Sequence, residues 1–485
     1  MTKKRYDLAL IARHAMIEKK LAPDYSEEVL QEVEKMHKAA CLSSAKDLRG
    51  LLFFSIDNPD SLDLDQLTYA EPQENGNFKI YVAIADVDAL VPKGSPIDRH
   101  ASFNTTSVYT PIKVFAMIPE KLSNNLTSLN YAEDRLSIVI EVEIGKNGET
   151  KQSSIYRACV NNKAKLNYDD VAEWISDPKK MPQKFASIKG LPEQIMLQDQ
   201  IAVLMQNYRL DLGALSLEPI QSQPIVKEEE VVDLKELKAN RATLIIENFM
   251  IAANGATTYF LDTQKCPTFR RVVRVPKNWP RIVEVARDLG FTLPIEPHPL
   301  PLEKFLEEQK RKDPITYPDL SLTVIKLLGR GEYVIQLPGD RPIGHFGLAV
   351  KNYSHSTAPN RRYPDLITQR LIKAALLGEK IPYTNDELLN LATHCTAKED
   401  DAEKVERKVK KAAAAIYLST KIGHSFKGIV TGSKGDGTWV RIFHPPVDGK
   451  LVQGYKNLQV GDRLRVKLLN VDVANGFIDF ARDHS

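Results

Sequence analysis

The sequence predicts an α+β protein, with a large central domain, a small all-β barrel after it and a short helical segment before it. Three features carry that expectation. Strand-like and helix-like segments alternate from about residue 51 to about residue 415, with no internal repeat and no low-complexity tract. From about Ile422 the pattern changes to five short strands separated by glycine turns. Residues 1 to about 48 carry helical spacing instead. A chain of 485 residues is too long for one ordinary core, and these changes of pattern suggest limits at 1–50, 51–420 and 421–485.

At the amino end, Leu8, Ile11, Ala12 and Met16 fall on one helical face, and Ala22-Pro23-Asp24-Tyr25 interrupts it. Ser26 can cap a second helix through Val29, Val33 and Met36, with Glu27 and Glu28 suited to its first turn. The pair reads either as half of a helix-turn-helix unit or as a plain helical cap on the next domain. Its mixed charges lack the concentrated positive face that duplex DNA requires, so duplex DNA is not an expected partner.

In the central domain, Lys79–Ala85 and Leu136–Ile144 read as strands, the second with the period-two alternation of a half-buried sheet. Residues 241–261 and 364–378 read as helices, and a charged helix follows from Ala397 to Tyr417. Its Lys404, Arg407, Lys408 and Lys411 form a basic stripe, either a solvated face or the lining of an RNA channel. The last strands are Ser425–Thr431, Thr438–Phe443, Gly449–Gln453, Arg463–Val471 and Phe477–Ala481. Five strands in so short a stretch suggest an OB-type barrel, whose exposed face commonly takes single-stranded nucleic acid. Trp439 and Phe443 are either stacking residues or barrel core.

Composition bounds the rest. The chain is 43% hydrophobic and 27% charged, the balance of a globular protein, and its net charge of +3 means that any basic binding surface is local. Cys41, Cys159, Cys266 and Cys395 are far apart with no CxxC pair, which fits reduced thiols and a cytoplasmic location. Lys3-Lys4-Arg5 imitates the start of a signal peptide, but Asp7 and Arg13 break the apolar run that should follow. No window is long and apolar enough for a membrane span. Neither a membrane partner nor a small-molecule cofactor is expected.

The chemistry concentrates at Ser55-Ile56-Asp57-Asn58-Pro59-Asp60-Ser61-Leu62-Asp63-Leu64-Asp65-Gln66, directly after the apolar run Leu51-Leu52-Phe53-Phe54. That run reads as a buried strand opening into an Asn-Pro turn. Crowded carboxylates repel one another and a divalent cation relieves the repulsion; hard cations such as Mg²⁺ prefer carboxylate and carbonyl oxygens. Asp57, Asp63 and Asp65 are the first candidates for a catalytic metal site, against the plain alternative of a solvated acidic turn. Three other segments stand out, namely Thr106–Pro111 running into Met117–Leu126, Gly344-His345-Phe346-Gly347-Leu348-Ala349, and Ser354–Leu366. In the last, Arg361 and Arg362 stand behind a proline-held turn at a helix start, where guanidinium forks and the helix dipole together suit a phosphate. Arg362 can equally pair with Asp365, three residues on.

Taken in order, Asp57–Gln66, Thr106–Leu126, Gly344–Ala349 and His355–Leu366 resemble the signature blocks of the ribonuclease II family, whose catalytic fold is the RNB domain. The carboxy-terminal barrel resembles the S1-type RNA-binding domain that follows RNB in that family. The resemblance covers about residues 50 to 485. It implies processive degradation of single-stranded RNA from the 3′ end to nucleoside 5′-monophosphates with Mg²⁺, along a channel too narrow for a duplex. By position, Asp57, Asp63 and Asp65 match three of four active-site aspartates, Asp65 being the one essential to cleavage. Arg361 matches the arginine that holds the scissile phosphate, and Tyr109 an aromatic that stacks on one end of the bound RNA. Phe269, in Pro267-Thr268-Phe269-Arg270, matches the aromatic on the terminal base, and Glu406 a glutamate near the leaving nucleotide. Arg362, Trp439 and Phe443 complete the expected RNA contacts. The implied chemistry is two-metal hydrolysis with in-line attack of water.

Two departures accompany the resemblance. The fourth aspartate of the family is Gln66 here, whose carbonyl can ligate a hard cation but brings no charge. The expectation is weaker Mg²⁺ affinity, a preference for Mn²⁺, or loss of catalysis. The family usually carries two cold-shock barrels ahead of RNB, whereas the residues ahead of it in this sequence look helical, which predicts lower processivity or a preference for short tails. The leading expectation is therefore a 3′→5′ exoribonuclease. The alternative is a catalytically weak or inactive RNA-binding protein of the same fold.

Overall fold

The computed structural model describes residues 6–228, 230–237, 239–434 and 437–483; Lys3, Lys4 and Arg5 lie outside them. In the first part of the chain, α1 (Leu8–Glu18) and α2 (Glu27–Glu34) precede β1 (Lys46–Asp47), β2 (Ser55–Asp57), β3 (Gln66–Pro72) and β4 (Phe78–Ala85). Then come α3 (Pro96–Asn104), the short strands β5 (Val108–Tyr109) and β6 (Val114–Phe115), and the long strands β7 (Asp134–Ile144) and β8 (Thr150–Asn161). After β9 (Lys165–Asn167) follow α4 (Tyr168–Ser176), α5 (Gln183–Ala186), α6 (Leu191–Asp211), the hairpin β10 (Gln221–Lys227) and β11 (Glu230–Leu237), and α7 (Arg241–Thr263). A helical lobe of α8 (Trp279–Asp288), α9 (Pro299–Lys312) and α10 (Tyr317–Leu328) lies between β12 (Thr268–Val272) and β13 (Glu332–Gln336). Last come α11 (Tyr363–Leu377), α12 (Asn385–Ser419) and the barrel strands β14 (Ser425–Lys434), β15 (Gly437–Ile442), β16 (Val447–Gln453), β17 (Arg463–Asp472) and β18 (Phe477–Asp483).

The main sheet has the order β1-β8-β7-β4-β3. β4 pairs antiparallel with β3 (Gln66 opposite Ile84) and with β7 (Phe78 opposite Ile144). Sequence alternation predicts a half-buried β7, but its residues from Arg135 to Ile140 are all buried. Val139 and Ile140 point to opposite faces, so both faces are covered. The apolar run before the acidic stretch is also corrected: Phe53 and Phe54 are buried core, and the strand itself is Ser55–Asp57.

α7 starts with a capping box of Asn240 and Thr243, and α12 with one of Thr384 and Glu387. α12 is longer than its charged half suggests, because Leu388, Ala392 and Cys395 bury its first turns. α1 buries Leu8, Ala12, Ala15 and Met16 together with Val405, Val409 and Ala412 of α12, while Ile11 is only partly covered. Asp7 caps α1; Ser26 stands at the N-cap of α2 but its side chain makes no capping bond. Val29 and Val33 of α2 join the core of the main sheet. The two helices thus serve as separate caps on the central domain and are not a helix-turn-helix pair.

The last five strands close into a barrel in the order β14-β15-β16-β18-β17. Its core is Val430, Val440, Ile442, Val447, Leu451, Val466, Leu468, Ile478 and Phe480. Trp439 and Phe443 are half-buried and lie outside that core. Gly449 is required where it stands, since a Cβ there would lie 2.4 Å from the Phe480 ring. The barrel is joined to the helical lobe by Arg441, whose guanidinium donates to Asp319 at 2.9 Å. No described helix is long and apolar enough to cross a membrane.

Candidate active site

Asp57 ends β2, opposite Asn167 of the parallel strand β9, and Gln66 begins β3. The loop between leaves the sheet at Asn58 and returns beside its own start, so that the Gln66 carboxamide donates to Asp57 Oδ1 at 3.4 Å. Residues far along the chain hold the loop. The Ser128 hydroxyl accepts from the Leu64 N–H at 3.0 Å and donates to the Leu62 carbonyl at 2.8 Å. The Leu129 N–H donates to Leu64 O at 2.9 Å, and Leu64 is buried beneath. Lys165 Nζ donates to the Ser61 carbonyl at 2.5 Å. Asp60, the fourth carboxylate of the run, is exposed and takes no part.

Asp65 is 2% exposed. Its Oδ1 accepts from the Asn360 backbone N–H at 2.9 Å. Arg361 Nε stands 3.3 Å from Oδ2, without the alignment of a hydrogen bond. The Asp63 carboxylate accepts from the Tyr109 hydroxyl, and the Tyr109 N–H donates to Glu406 Oε1 of α12 at 2.9 Å. The structure therefore brings Asp57, Asp63, Asp65, Gln66, Tyr109, Arg361 and Glu406 to one place.

The other expected contacts lie elsewhere. Arg362 donates to the buried Asp365 at 2.7 Å, which is the pairing alternative, so only one of the two arginines faces the aspartates. Phe269 is 1% exposed and packs on Tyr333 with ring centroids 5.7 Å apart, leaving no free face for a base. Its place on β12, between Thr268 and Arg270 of a strand sealed into the core, is the reason. Trp439 and Phe443 belong to the barrel. The basic stripe of α12 is partly neutralised, Lys408 by Glu18 at 2.6 Å and Lys404 by Asp401 at 2.9 Å. Sequence reasoning missed Ser128, Asn360 and Lys165, since single small or basic side chains carry no spacing signal.

Burial dominates the electrostatics. It pushes the Asp57 and Asp65 carboxyls up to about 7, with the Arg361 charge opposing in both cases. Burial also raises the Tyr109 phenol and the Glu406 carboxyl. Asp57 Oδ2 and Asp65 Oδ2 are buried with no hydrogen-bond partner. Two buried carboxylate oxygens without a hydrogen bond, a third aspartate and a carboxamide that can turn its oxygen inward suit a hard divalent cation. Among the described residues, no three or more His, Cys, Asp or Glu side chains are drawn into a closed metal cluster. The remaining positions would fall to water and a phosphate, as Mg²⁺ commonly arranges.

Both the pH dependence of cation binding and the role of Tyr109 can be measured. A cation displaces the protons that burial favours, so its affinity rises with pH; we expect about a 10- to 100-fold gain from pH 6 to pH 8, for one or both protons displaced, levelling off above, in Mn²⁺ titration calorimetry. Tyr109→Phe keeps the ring and removes the hydroxyl that orients Asp63, so cation affinity should fall about tenfold. Fluorescence anisotropy should show RNA affinity unchanged in Tyr109→Phe and lowered in Tyr109→Ala.

The class is that of RNB-fold exoribonucleases, which are hydrolases. Residues 45–378 match the RNB domain and residues 424–483 the RNase II-type exonuclease C-terminal S1 domain; the chain belongs to this family. It is 29% identical to Ribonuclease R of Aquifex aeolicus, over 95% of this chain and 68% of that one. It is 31% identical to Ribonuclease R of Escherichia coli, over 86% of this chain and 53% of that one. The chain thus spans between about half and two thirds of the length of these curated relatives. Mycoplasma genitalium RNase R in complex with double-stranded RNA superposes with a TM-score of 0.86 at 26% identity, over 98% of this chain and 83% of that one. Its complex with ribose methylated single-stranded RNA gives a TM-score of 0.87 at 24% identity, over 98% and 78%, a likeness of fold.

Proposed function

We propose that the chain is a 3′→5′ exoribonuclease that hydrolyses single-stranded RNA to nucleoside 5′-monophosphates with Mg²⁺, or with Mn²⁺, in RNA decay or 3′-end processing. The observation that carries the reading is the pair of buried oxygens on Asp57 and Asp65 that accept no hydrogen bond, with one half-exposed arginine, Arg361, in front of them. Asp57, Asp63 and Asp65, with the Gln66 carbonyl, would hold the cation; when bound, it supplies Lewis-acid activation of phosphate and water. Arg361 neutralises charge developing on the phosphate. Tyr109 offers a ring to one end of the bound RNA, and such stacking is worth about 1–3 kcal/mol per base with little regard to sequence. That tolerance suits degradation. RNase R bound to RNA among the family's solved structures supports RNA as the ligand.

One observation favours a second reading. Gln66 turns its N–H towards Asp57, a contact that a cation would have to undo. A silent RNA-binding protein with the same fold would keep that contact. The test uses 5′-labelled single-stranded RNA with and without Mg²⁺ or Mn²⁺. A metal-dependent ladder shortening from the 3′ end supports the enzyme. RNA that is bound but never shortened with either metal removes that reading in favour of the second.

A further inference from the structure

Arg361 sits on the turn Ala358-Pro359-Asn360-Arg361-Arg362, and that turn is tied to three distant segments. Its backbone pairs with the strand leading to Tyr109: the Ser107 N–H donates to Arg361 O at 2.9 Å and the Tyr363 N–H to Thr105 O at 2.8 Å. The Asn360 N–H reaches Asp65. The third tie is the Asn360 side chain, fully buried against Thr127. Thr127 immediately precedes Ser128, the residue that cradles the acidic loop.

The hydrogens of this third tie do not balance as the carboxamide stands. Thr127 Oγ1 lies 2.9 Å from Leu122 O and 2.5 Å from Asn360 Oδ1, yet a hydroxyl has one proton. Asn360 Nδ2, meanwhile, is buried with no partner. Turning the carboxamide over resolves both problems. Nδ2 then donates to Thr127 Oγ1, which donates to Leu122 O, and the atom left without a partner becomes a carbonyl, less costly to bury unpaired than an N–H.

We propose that Asn360 is a positioning residue: by donating to Thr127 it ties the turn carrying Arg361 to the cradle of the acidic loop, and so sets the spacing between Arg361 and Asp65. Its kinetic consequence rests on the exoribonuclease reading; its structural consequence does not. Displacing a phosphate-holding group by about 1 Å can cost about 100-fold in rate.

The test compares Asn360→Leu, Thr127→Val, their double variant and Thr127→Ser with the wild-type chain, by crystal structure and by kinetics on single-stranded RNA. The Arg361 turn should shift by about 1 Å in Asn360→Leu, with kcat down about 10- to 100-fold and KM within about threefold. Thr127→Val should act alike, and the double variant should lose no more than the worse single one, since both break one link. Thr127→Ser keeps the acceptor and should match the wild type, which also shows that the site folds with a changed side chain. Arg361 still within hydrogen-bonding reach of Asp65 in the Asn360→Leu crystal overturns the proposal. So does an unchanged kcat, or losses that multiply in the double variant. A wild-type chain that never shortens RNA removes the exoribonuclease reading, while the crystal comparison still decides the role of Asn360.

Discussion

Asp65→Asn should abolish RNA shortening, by about 1,000-fold or more, while RNA affinity measured by anisotropy stays within about threefold. The substitution is nearly isosteric, so the loss is one of charge. Asp65 is buried, its Oδ1 is already engaged by the Asn360 N–H, and its Oδ2 is the unpartnered oxygen nearest Arg361. An asparagine can keep its oxygen on the Asn360 N–H only by turning its amide donors towards the Arg361 donors. That places like against like where a cation and a phosphate should meet.

The same substitution should leave the cation-free protein more stable near pH 8. Burial raises the Asp65 carboxyl to about 7 in the folded chain from an ordinary 3.8. Between those values the folded state binds the extra proton, so wild-type stability falls as pH rises from about 4 to about 7 and then stays low. The neutral carboxamide of the Asp65→Asn variant carries no such penalty. Thermal melts in EDTA should therefore favour the variant at pH 8 and show little difference near pH 4. A destabilised variant at pH 8 would mean that Asp65 is held for packing and not for a cation.

Gln66→Asp carries the second large effect. Gln66 begins β3, its backbone fixed opposite Ile84, so the change alters only what faces Asp57. An aspartate removes the N–H that now occupies Asp57 Oδ1 and adds a charged ligand. Cation affinity should tighten about 10- to 100-fold, the usual scale for changes around a metal ligand. The cation-free variant should melt earlier at pH 8, because a further buried carboxylate joins two already disfavoured by burial. If wild-type and variant rates converge at saturating Mn²⁺, Gln66 serves as a tolerated ligand position. If only the variant shortens RNA, the natural chain is the silent binder and a single residue separates the two states.

Much of the candidate site is legible in the sequence. Asp57, Asp63, Asp65 and Gln66 lie close along the chain, so their convergence needs only one loop, and loops that gather carboxylates for a cation have a recognisable composition. Tyr109 and Glu406 are reached through the family resemblance and Arg361 also as half of a phosphate clamp; Tyr109 and Arg361 meet the acidic loop, and Glu406 touches it only through the Tyr109 N–H. Phe269 and Arg362 do not. Both are the right residue type for an RNA contact, and both are drawn elsewhere by buried neighbours: Tyr333 takes the Phe269 face and Asp365 takes the Arg362 guanidinium. Residue type states what a side chain can do, but which neighbour claims it depends on packing.

Local pattern is enough for the α+β class, the barrel after the central domain, the charged helix and the acidic loop. These rest on local periodicity, turn residues and short-range charge density, all of which act between near neighbours. Long-range packing is what covers both faces of the central strand Asp134–Ile144, leaves Trp439 and Phe443 outside the barrel core, and holds the arginine turn on Thr127 and Asp65. The last of these contacts join residues 233 and 295 positions apart. A buried polar group must find a partner wherever the fold brings one, and no local pattern records which distant segment that will be.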